Sequence, residues 1–183
     1  FINGGTGGVG SVAIQIAKQL GARVITTVGN DEKAALARML GADVVINYKT
    51  QDVDAEIKAA APHGINVFWE TQLCPDFDRA VPLLAERARF VVIAGRNARP
   101  VMPLGPFYVK GCSLHGFVMF KATPAEQRAC AEDLNRWLAA GKIQPLIGKQ
   151  FPLAELASAH QMQEDNTLQK QGTLLGKILI KVA

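Results

Sequence analysis

A glycine-rich run near the start of the chain has the composition and spacing of an anion-binding turn. It reads Asn3-Gly4-Gly5-Thr6-Gly7-Gly8-Val9-Gly10, and Gly5, Gly7 and Gly10 fit the spacing G-x-G-x-x-G. Glycine has no Cβ atom, so the backbone of such a turn can approach a pyrophosphate closely, and the first amides of a following helix favour the same anion. The run therefore predicts a pyrophosphate-binding turn made by Gly5, Thr6, Gly7, Gly8, Val9 and Gly10.

The residues around the run have the pattern of a strand–helix–strand unit, which such a turn requires. Apolar residues recur at helical spacing from Val9 to Leu20, and Gly21 follows as a helix stop. Residues 23–28 and 43–47 have the β-branched, apolar composition of buried strands. Between them, a second helix is predicted at 31–40. This context favours a dinucleotide-binding turn over the alternative, a loop that binds no phosphate in another α/β domain.

The end of the second strand predicts which nicotinamide cofactor the turn would serve. NAD-binding domains place an acidic residue at this strand end, where it accepts hydrogen bonds from the adenosine ribose. Here the strand ends Thr27-Val28-Gly29-Asn30 without a carboxylate, so a 2′-phosphate would meet no like charge at that position. Asp31 and Glu32 oppose this interpretation, although the helix dipole alone favours acids in a first turn. We therefore predict NADPH, with its 2′-phosphate near Gly29, Asn30, Lys33 and Tyr48.

The following residues continue to alternate between strands and helices. Residues 65–70, 89–94 and 113–120 read as the fourth, fifth and sixth strands, while the prolines in 97–106 predict a loop. Thr123-Pro124-Ala125-Glu126 predicts a helix start with a capping box. This alternation indicates an α/β fold, a doubly wound, mostly parallel six-stranded sheet of the Rossmann type.

After Gly141 the alternation ends, and we place a domain boundary near Ile143. Four elements of different character follow: an extended stretch (142–151), a short helix (152–163), a polar loop (164–172) and a last strand (176–182). We predict that residues 1–143 form an NADPH-binding Rossmann domain with a truncated first strand. Residues 144–183 would form a return segment that packs toward a GroES-like catalytic domain outside this sequence.

Composition and charge argue against several classes of protein. Of the 183 residues, 49% are hydrophobic and 20% are charged, and the net charge of +4 comes from scattered basic residues, so we expect no nucleic-acid partner. No apolar stretch approaches the roughly 20 residues that cross a bilayer, so we expect no membrane partner. Cys74, Cys112 and Cys130 are widely spaced and suggest neither a disulfide framework nor a zinc site. We therefore expect no metal site, buried or half-buried thiols, and a cytoplasmic protein.

Several segments along the whole chain carry a family resemblance. They are residues 3–10, 17–22, 40–48, 64–67, 147–153 with 159–160, and 176–179. Together they resemble the cofactor-binding half of a medium-chain dehydrogenase/reductase, specifically the zinc-independent quinone oxidoreductases related to zeta-crystallin. The resemblance implies a two-domain subunit with its active site in the cleft between the domains. It also implies hydride transfer from NADPH to a quinone or an activated, enone-type double bond, in a homodimer or homotetramer.

The same resemblance assigns residues to parts of the cofactor. Lys33 and Tyr48 match positions at the adenosine 2′-phosphate, the backbone of residues 7–10 matches the pyrophosphate site, and Lys177 matches a basic position near the phosphates. Residues 72–75 depart from the family, because many relatives carry a glycine-containing turn there. The positions that line the nicotinamide are matched by Ala94, Gly95, Arg96, Phe117 and Val118.

We find no catalytic residue in the sequence. No Ser/His/Asp or Cys/His set is recognisable from spacing, and hydride transfer requires no protein nucleophile because the nicotinamide is the donor. The preferred prediction is therefore an NADPH-dependent oxidoreductase with a small-molecule substrate. Two alternatives remain: a non-catalytic, NADPH-responsive binding protein with an RNA-binding or structural role, and a zinc-dependent alcohol dehydrogenase whose zinc ligands would lie upstream.

Overall fold

The computed structural model describes residues 1–169 and 171–182. The helices in these ranges are α1 (Gly10–Gln19), α2 (Asp31–Met39), α3 (Val53–Ala60), α4 (Phe77–Leu83), α5 (Leu104–Val109), α6 (Pro124–Ala139) and α7 (Leu156–Thr167). The strands are β1 (Ile25–Val28), β2 (Val44–Asn47), β3 (Ile65–Glu70), β4 (Leu84–Val92), β5 (Ser113–Gly116), β6 (Ile147–Pro152) and β7 (Lys177–Lys181). Two short 3-10 helices lie at Met119–Lys121 and Leu153–Glu155.

Residues 1–2, which precede β1 and which we call the first strand, join two groups of strands into one parallel sheet, because Ile2 bridges Thr26 of β1 on one side and Trp69 of β3 on the other. β1 pairs with β2, β3 pairs with β4, and β4 pairs with β5, all in parallel. The order β2–β1–Ile2–β3–β4–β5 is that of a doubly wound dinucleotide-binding sheet, so the predicted Rossmann fold is confirmed. Because the direction of winding reverses between Ile2 and β3, the ligand crevice lies at the carboxyl ends of these two strands.

Alternate side chains of this sheet enter two apolar layers. α1 and α2 cover one face, where Ala13, Ile14 and Ala34 pack in a buried cluster with residues of β1 and β2. α3, α4 and α5 cover the other face, where Phe68 and Phe90 stack with their ring centroids 4.7 Å apart. Coverage of both faces explains why the strands read as apolar runs rather than as an alternating pattern.

β6 and β7 form a separate two-stranded parallel sheet, with α7 in the connection between them. The segment that leads into this unit is hydrogen-bonded to a side chain of α1. The Gln15 side chain donates to the carbonyl oxygen of Gln144 at 2.9 Å and accepts from the Gln144 amide at 2.8 Å. The C-terminal residues are thus tied to the main body by reciprocal hydrogen bonds from one side chain.

Three predictions for the second half of the sheet are wrong, one for a loop and two for strand boundaries. α5 begins at Leu104, inside the predicted loop 97–106, because Pro106 lies in the first helical turn, where the missing amide hydrogen removes no intrahelical bond. The strand predicted at 113–120 ends at Gly116, where the register pairs it with the last residue of β4, Val92. β4 itself begins at Leu84, earlier than the predicted strand at 89–94.

The C-terminal elements also depart in part from the predictions. α7 continues to Thr167, so the first part of the predicted loop 164–172 is helical, and a hydrogen bond from Gln163 to Thr167 supports this last turn. Lys170, in the same predicted loop, and Ala183, at the end of the predicted return segment, lie outside the described residues. None of the helices in the described ranges combines the length and apolar character that crossing a bilayer requires.

The predicted capping box is confirmed, whereas the predicted burial of the thiols is wrong for two of the three cysteines. The capping box is confirmed: the Thr123 side chain accepts from the Glu126 amide, and the Glu126 carboxylate accepts from the Thr123 amide at 2.7 Å. The Thr123 amide and the Thr123 hydroxyl both donate to the Glu126 carboxylate and hold the pKa of this carboxyl below its usual value. The prediction that the thiols are buried or half-buried is wrong for Cys74 and Cys130, which are exposed, and right for Cys112. Cys130 lies on α6, which has no buried residue.

Candidate functional site

The glycine run forms a turn at the carboxyl end of the first strand, and its glycines serve different purposes. Gly4 has a φ of +73°, which favours glycine. A Cβ atom on Gly5 would overlap the Thr26 side chain, and one on Gly10 would overlap the Gly4 carbonyl. A Cβ atom on Gly7 would meet only the Gly4 oxygen, at 3.5 Å. Gly5 and Gly10 therefore let the turn pack tightly, whereas the exposed Gly7 presents bare backbone.

The N-terminal end of α1 carries free backbone donors beside this turn. Its N-cap residue, Val9, forms no side-chain capping bond, and the amides of Val9 and Gly10 donate to no acceptor within residues 1–169 and 171–182. In the same described part of the chain, the Ser11 hydroxyl is buried without a partner, and Thr6 is also buried. Amides without an acceptor at the positive end of a helix favour an anion, so the glycine turn and the start of α1 together fit the predicted pyrophosphate.

A C-terminal segment, residues 172–177, lies against this turn, and we call it the C-terminal strap. The Gly176 amide donates to the Thr6 carbonyl oxygen at 2.8 Å, and Gly7 and Gly176 form a parallel bridge. The aliphatic stem of Lys177 lies 3.0 Å from the point where a Cβ atom of Gly8 would be. Lys177 and its positive charge therefore lie at the glycine turn in the structure, although Lys177 is far from the turn in the sequence.

The residues predicted for the 2′-phosphate lie together at the ends of β1 and β2. The Tyr48 hydroxyl is 2.5 Å from the point where a Cβ atom of Gly29 would be, so a larger residue at position 29 would collide with it. The Asn30 side chain caps α2 by accepting from the Lys33 amide at 2.8 Å. Asp31, which opposed the NADPH interpretation, accepts from the Asn47 amide group at 3.4 Å. We call Gly29, Asn30, Lys33 and Tyr48 the adenosine rim.

Lys33 connects the adenosine rim to the C-terminal strap. Its ammonium donates to the carbonyl oxygens of Gly172 at 2.5 Å and Leu174 at 3.3 Å. Burial lowers the pKa of Lys33, the nearby positive charge of Lys49 lowers it further, and the carboxylate of Glu32 opposes the shift. No pattern in the sequence indicates this contact, because the acceptors are backbone carbonyl groups that every residue possesses.

The residues predicted at the nicotinamide follow neighbouring parallel strands, β4 and β5. Gly95 has a φ of +86°, and a Cβ atom there would overlap the Leu73 carbonyl, so the loop after β4 packs against the loop after β3. Ala94 and Arg96 flank it, and both are exposed. The Phe117 amide donates to the Val92 carbonyl at 3.2 Å, which holds the start of the loop after β5 beside β4. Phe117 and Val118 are exposed.

Three polar residues at the carboxyl ends of adjacent strands form a hydrogen-bonded row that the sequence predictions did not include. Glu70 ends β3, Asn3 follows the first strand, and Thr27 lies near the end of β1. Asn3 donates to Glu70 at 3.0 Å and accepts from the Thr27 hydroxyl at 2.8 Å. The sequence signal that could have identified these residues is their position, because each polar side chain lies at or near the end of an apolar run.

A metal centre has no counterpart in the described ranges. Within residues 1–169 and 171–182, no group of three or more His, Cys, Asp or Glu side chains is arranged to hold a metal ion. The predicted absence of a metal site stays a prediction for the whole protein.

Comparison with known proteins identifies the family of this chain. Residues 8–139 match the model of the family described as zinc-binding dehydrogenase. The human protein named quinone oxidoreductase is 29% identical over 162 residues, which cover 88% of this chain and 49% of that protein. The trans-enoyl reductase pgmF of Aspergillus terreus is 31% identical over 191 residues, covering 100% of this chain and 51% of that protein. The chain thus spans about half the length of these relatives.

A solved structure agrees with the sequence comparisons. The crystal structure of Escherichia coli quinone oxidoreductase complexed with NADPH superposes with a TM-score of 0.82 at 25% identity. The alignment covers 99% of this chain and 56% of that chain. Both comparisons confirm the predicted family resemblance. The chain belongs to the zinc-binding dehydrogenase family, among its quinone oxidoreductase-like members, and corresponds to their cofactor-binding half.

Proposed function

We propose that this chain is the NADPH-binding half of an oxidoreductase that transfers hydride to a quinone or to an activated, enone-type carbon–carbon double bond. The observation that carries the proposal is the glycine turn: the amides of Val9 and Gly10 donate to no acceptor among the described residues, and the stem of Lys177 lies against Gly8. The names of the human and Aspergillus relatives, a quinone oxidoreductase and a trans-enoyl reductase, support the substrate classes. The NADPH complex of the Escherichia coli protein supports the cofactor.

In this proposal the cofactor supplies the hydride, and the chain binds and orients it. The turn amides hold the pyrophosphate, and Lys177 adds a positive charge near it. Lys33, Asn30 and Tyr48 hold the 2′-phosphate at a strand end without an acid. The loops after β4 and β5 border the nicotinamide through Ala94, Gly95, Arg96, Phe117 and Val118. Orientation of two reactants in this way supplies a large part of the rate enhancement without a protein nucleophile.

We further propose that residues 1–143 are the cofactor-binding domain and that residues 144–183 return toward a second, catalytic domain. The separate pairing of β6 and β7 supports a boundary near Ile143. We propose a homodimer or homotetramer, supported by the exposure of Leu114 on the edge strand β5 and of Phe117 and Phe120 after it. The free thiols support a cytoplasmic protein, because secreted domains commonly pair their cysteines.

Cofactor titration tests the proposal directly. We expect the chain to quench or enhance NADPH fluorescence on binding, with NADPH bound at least about tenfold more tightly than NADH, a difference of about 1.4 kcal/mol. Lys33→Glu should abolish the preference, whereas Lys58→Glu on α3, the matched change at an exposed lysine, should preserve it. Equal affinities for the two cofactors in all three proteins would refute the NADPH assignment.

Turnover requires a separate assay. We expect the full-length protein that carries this chain to oxidise NADPH with quinones or enones and to leave simple aldehydes unreduced without added zinc. Zinc-dependent aldehyde reduction would support an alcohol dehydrogenase instead. RNA binding that NADPH abolishes, with no turnover of any acceptor, would support the non-catalytic alternative.

A further inference from the structure

Glu70 is a buried acid without an ionic partner in the described part of the chain. Only 5% of it is exposed, and none of the ion pairs among residues 1–169 and 171–182 includes it. Its carboxylate accepts from the Asn3 side-chain amide at 3.0 and 3.3 Å and from the Gln72 backbone amide at 2.7 Å. A carboxyl group buried in this way is retained at a cost in desolvation, so its hydrogen bonds need an explanation.

The hydrogen bonds continue from Glu70 to the glycine turn, and in each of them the donor is the group nearer to the turn along this row. Because Asn3 donates its NH₂ group to Glu70, its oxygen is free to accept, and the Thr27 hydroxyl donates to it at 2.8 Å. The same hydroxyl oxygen accepts from the Gly4 amide at 3.1 Å. The Gly4 carbonyl in turn accepts from the Gly7 amide at 3.2 Å. A continuous row thus crosses β3, the first strand and β1, and ends on the residue whose bare face adjoins the anion site.

We propose that Glu70 is a positioning residue for the cofactor: through Asn3 and Thr27, its carboxylate fixes Gly4 and hence the amides that hold the pyrophosphate. The inference rests on the proposed function. The row lies where the winding of the sheet reverses, which is where the ligand crevice of such a fold opens. Glu70 has only acceptor atoms, so it sets the orientation of Asn3, which sets that of Thr27. Within the described residues, the adenosine rim has no side-chain hydrogen bond to this row.

The row of hydrogen bonds can be tested by exchanging the donor and the acceptor between Asn3 and Glu70. Glu70→Gln leaves one acceptor oxygen for both the Asn3 amide group and the Gln72 amide, and it places a donor at the position of the second oxygen, 3.3 Å from the Asn3 nitrogen. Asn3→Asp places two carboxylates against each other. In the double variant, the introduced glutamine would donate to the introduced aspartate and still accept from the Gln72 amide, while the aspartate would still accept from Thr27. All the links of the row are therefore restored with the two groups interchanged. Two ligands are titrated into each protein: NADPH, and adenosine 2′-monophosphate, which carries the adenosine end without either phosphate of the pyrophosphate.

We expect each single variant to bind NADPH about threefold to thirtyfold more weakly, the range found for residues that act through a contiguous network. Affinity for adenosine 2′-monophosphate should stay within about twofold, and the double variant should recover NADPH affinity to within about threefold of the unmodified chain. Circular dichroism establishes that each protein is folded. Should a single variant not fold, Thr27→Val removes the central hydroxyl without a change of charge and should give the same selective loss.

The results separate this inference from the proposed function. An unmodified chain that binds no NADPH overturns both. An unmodified chain that binds NADPH, with single variants that bind it equally well, overturns the positioning role alone. Equal losses for the two ligands, or a folded double variant no better than the weaker single variant, also overturn it, because either result indicates a general structural effect.

Discussion

The ammonium of Lys33 donates to the carbonyl oxygen of Gly172 at 2.5 Å, although 139 positions separate the two residues. The contact joins the adenosine rim to the C-terminal strap. An ammonium has three donor hydrogens, and the carbonyls of Gly172 and Leu174 engage two of them. A 2′-phosphate at the rim would use the third or displace the strap carbonyls. The position of the strap and the preference for NADPH are therefore linked through Lys33.

The preference for NADPH over NADH should decline at high pH. Burial holds the pKa of Lys33 below the ordinary value of about 10.4, so the rim loses its charge earlier than an exposed lysine would. We expect the ratio of the NADPH and NADH affinities to fall as pH rises from 7 toward the ordinary lysine pKa, by up to about tenfold when the charge-assisted bond is fully lost. Fluorescence titrations of both cofactors across this range measure the ratio.

Lys33→Arg is the matched control, because arginine stays charged throughout that range. The ratio of NADPH and NADH affinities of this variant should be constant with pH, and a wild-type ratio that is also constant would contradict a titrating Lys33.

The effect of pH on stability through Lys33 has the opposite sign to its effect on binding. Because the folded chain holds the Lys33 proton less tightly than the unfolded chain, this group's contribution to the free energy of unfolding rises as pH increases toward the ordinary lysine pKa.

Alanine substitutions should separate the packing glycines of the turn from the binding glycine. Gly10→Ala should lower the free energy of unfolding by at least about 2 kcal/mol, because the new methyl group would overlap the Gly4 carbonyl. Gly7→Ala should change it by less than about 1 kcal/mol, since the methyl group would meet only one atom, at 3.5 Å. Urea unfolding followed by circular dichroism measures both values.

The same Gly7→Ala protein should nevertheless bind NADPH at least about tenfold more weakly, because its methyl group occupies the bare face that the pyrophosphate approaches. Unchanged NADPH affinity in a folded Gly7→Ala protein would place the pyrophosphate elsewhere.

Asp43 should contribute to stability in a pH-dependent way. Its carboxylate accepts from the Lys18 ammonium at 2.8 Å and from the Val24 amide at 2.7 Å, which ties α1 to the start of β1. These hydrogen bonds, that of Lys18 first, lower the pKa of Asp43. A lowered carboxyl pKa means that the stabilisation is present above the unfolded value, about 3.9, and is lost as pH falls through the folded value.

Asp43→Ala should therefore lower the free energy of unfolding by about 1 kcal/mol at pH 7, a modest figure because the pair is partly exposed. The difference from the unmodified chain should shrink at acidic pH. Asp133→Ala, which breaks an exposed pair with Arg136 on α6, is the control and should have little effect at any pH. Equal effects of the two substitutions in urea unfolding would contradict the proposed role of Asp43.

The main sheet could be predicted from the sequence because its signals are local. Residues 23–28 and 65–70 read as strands from their own composition, and the glycine spacing identified the turn without knowledge of its neighbours. Lys33 and Tyr48 could be assigned to one rim because parallel strands bring their carboxyl ends to the same edge. These predictions needed only the alternation of helices and strands and the family resemblance.

The contacts between distant segments could not be predicted in the same way. Lys33 reaches backbone carbonyls of the strap, and Gly95 packs against the Leu73 carbonyl, so the partners carry no side-chain signal. The Glu70–Asn3 bond depends on which strands become neighbours at the switch point. Helix α5 was missed because proline in a first turn resembles proline in a loop until the helix register is known.

Gln15 should hold the C-terminal unit against α1. It is buried, donates to the Ser11 and Gln144 carbonyls at 2.9 Å each, and accepts from the Gln144 amide at 2.8 Å. Gln15→Glu keeps the length and the acceptor but loses both donated bonds, so we expect faster hydrogen exchange at residues 142–146 and a loss of about 1–3 kcal/mol of stability at pH 7. Protonation restores one donor, so the defect should shrink as pH falls toward about 5. Gln19→Glu, on the exposed last turn of α1, is the control. Identical exchange in the two variants would show that Gln144 is held by other contacts.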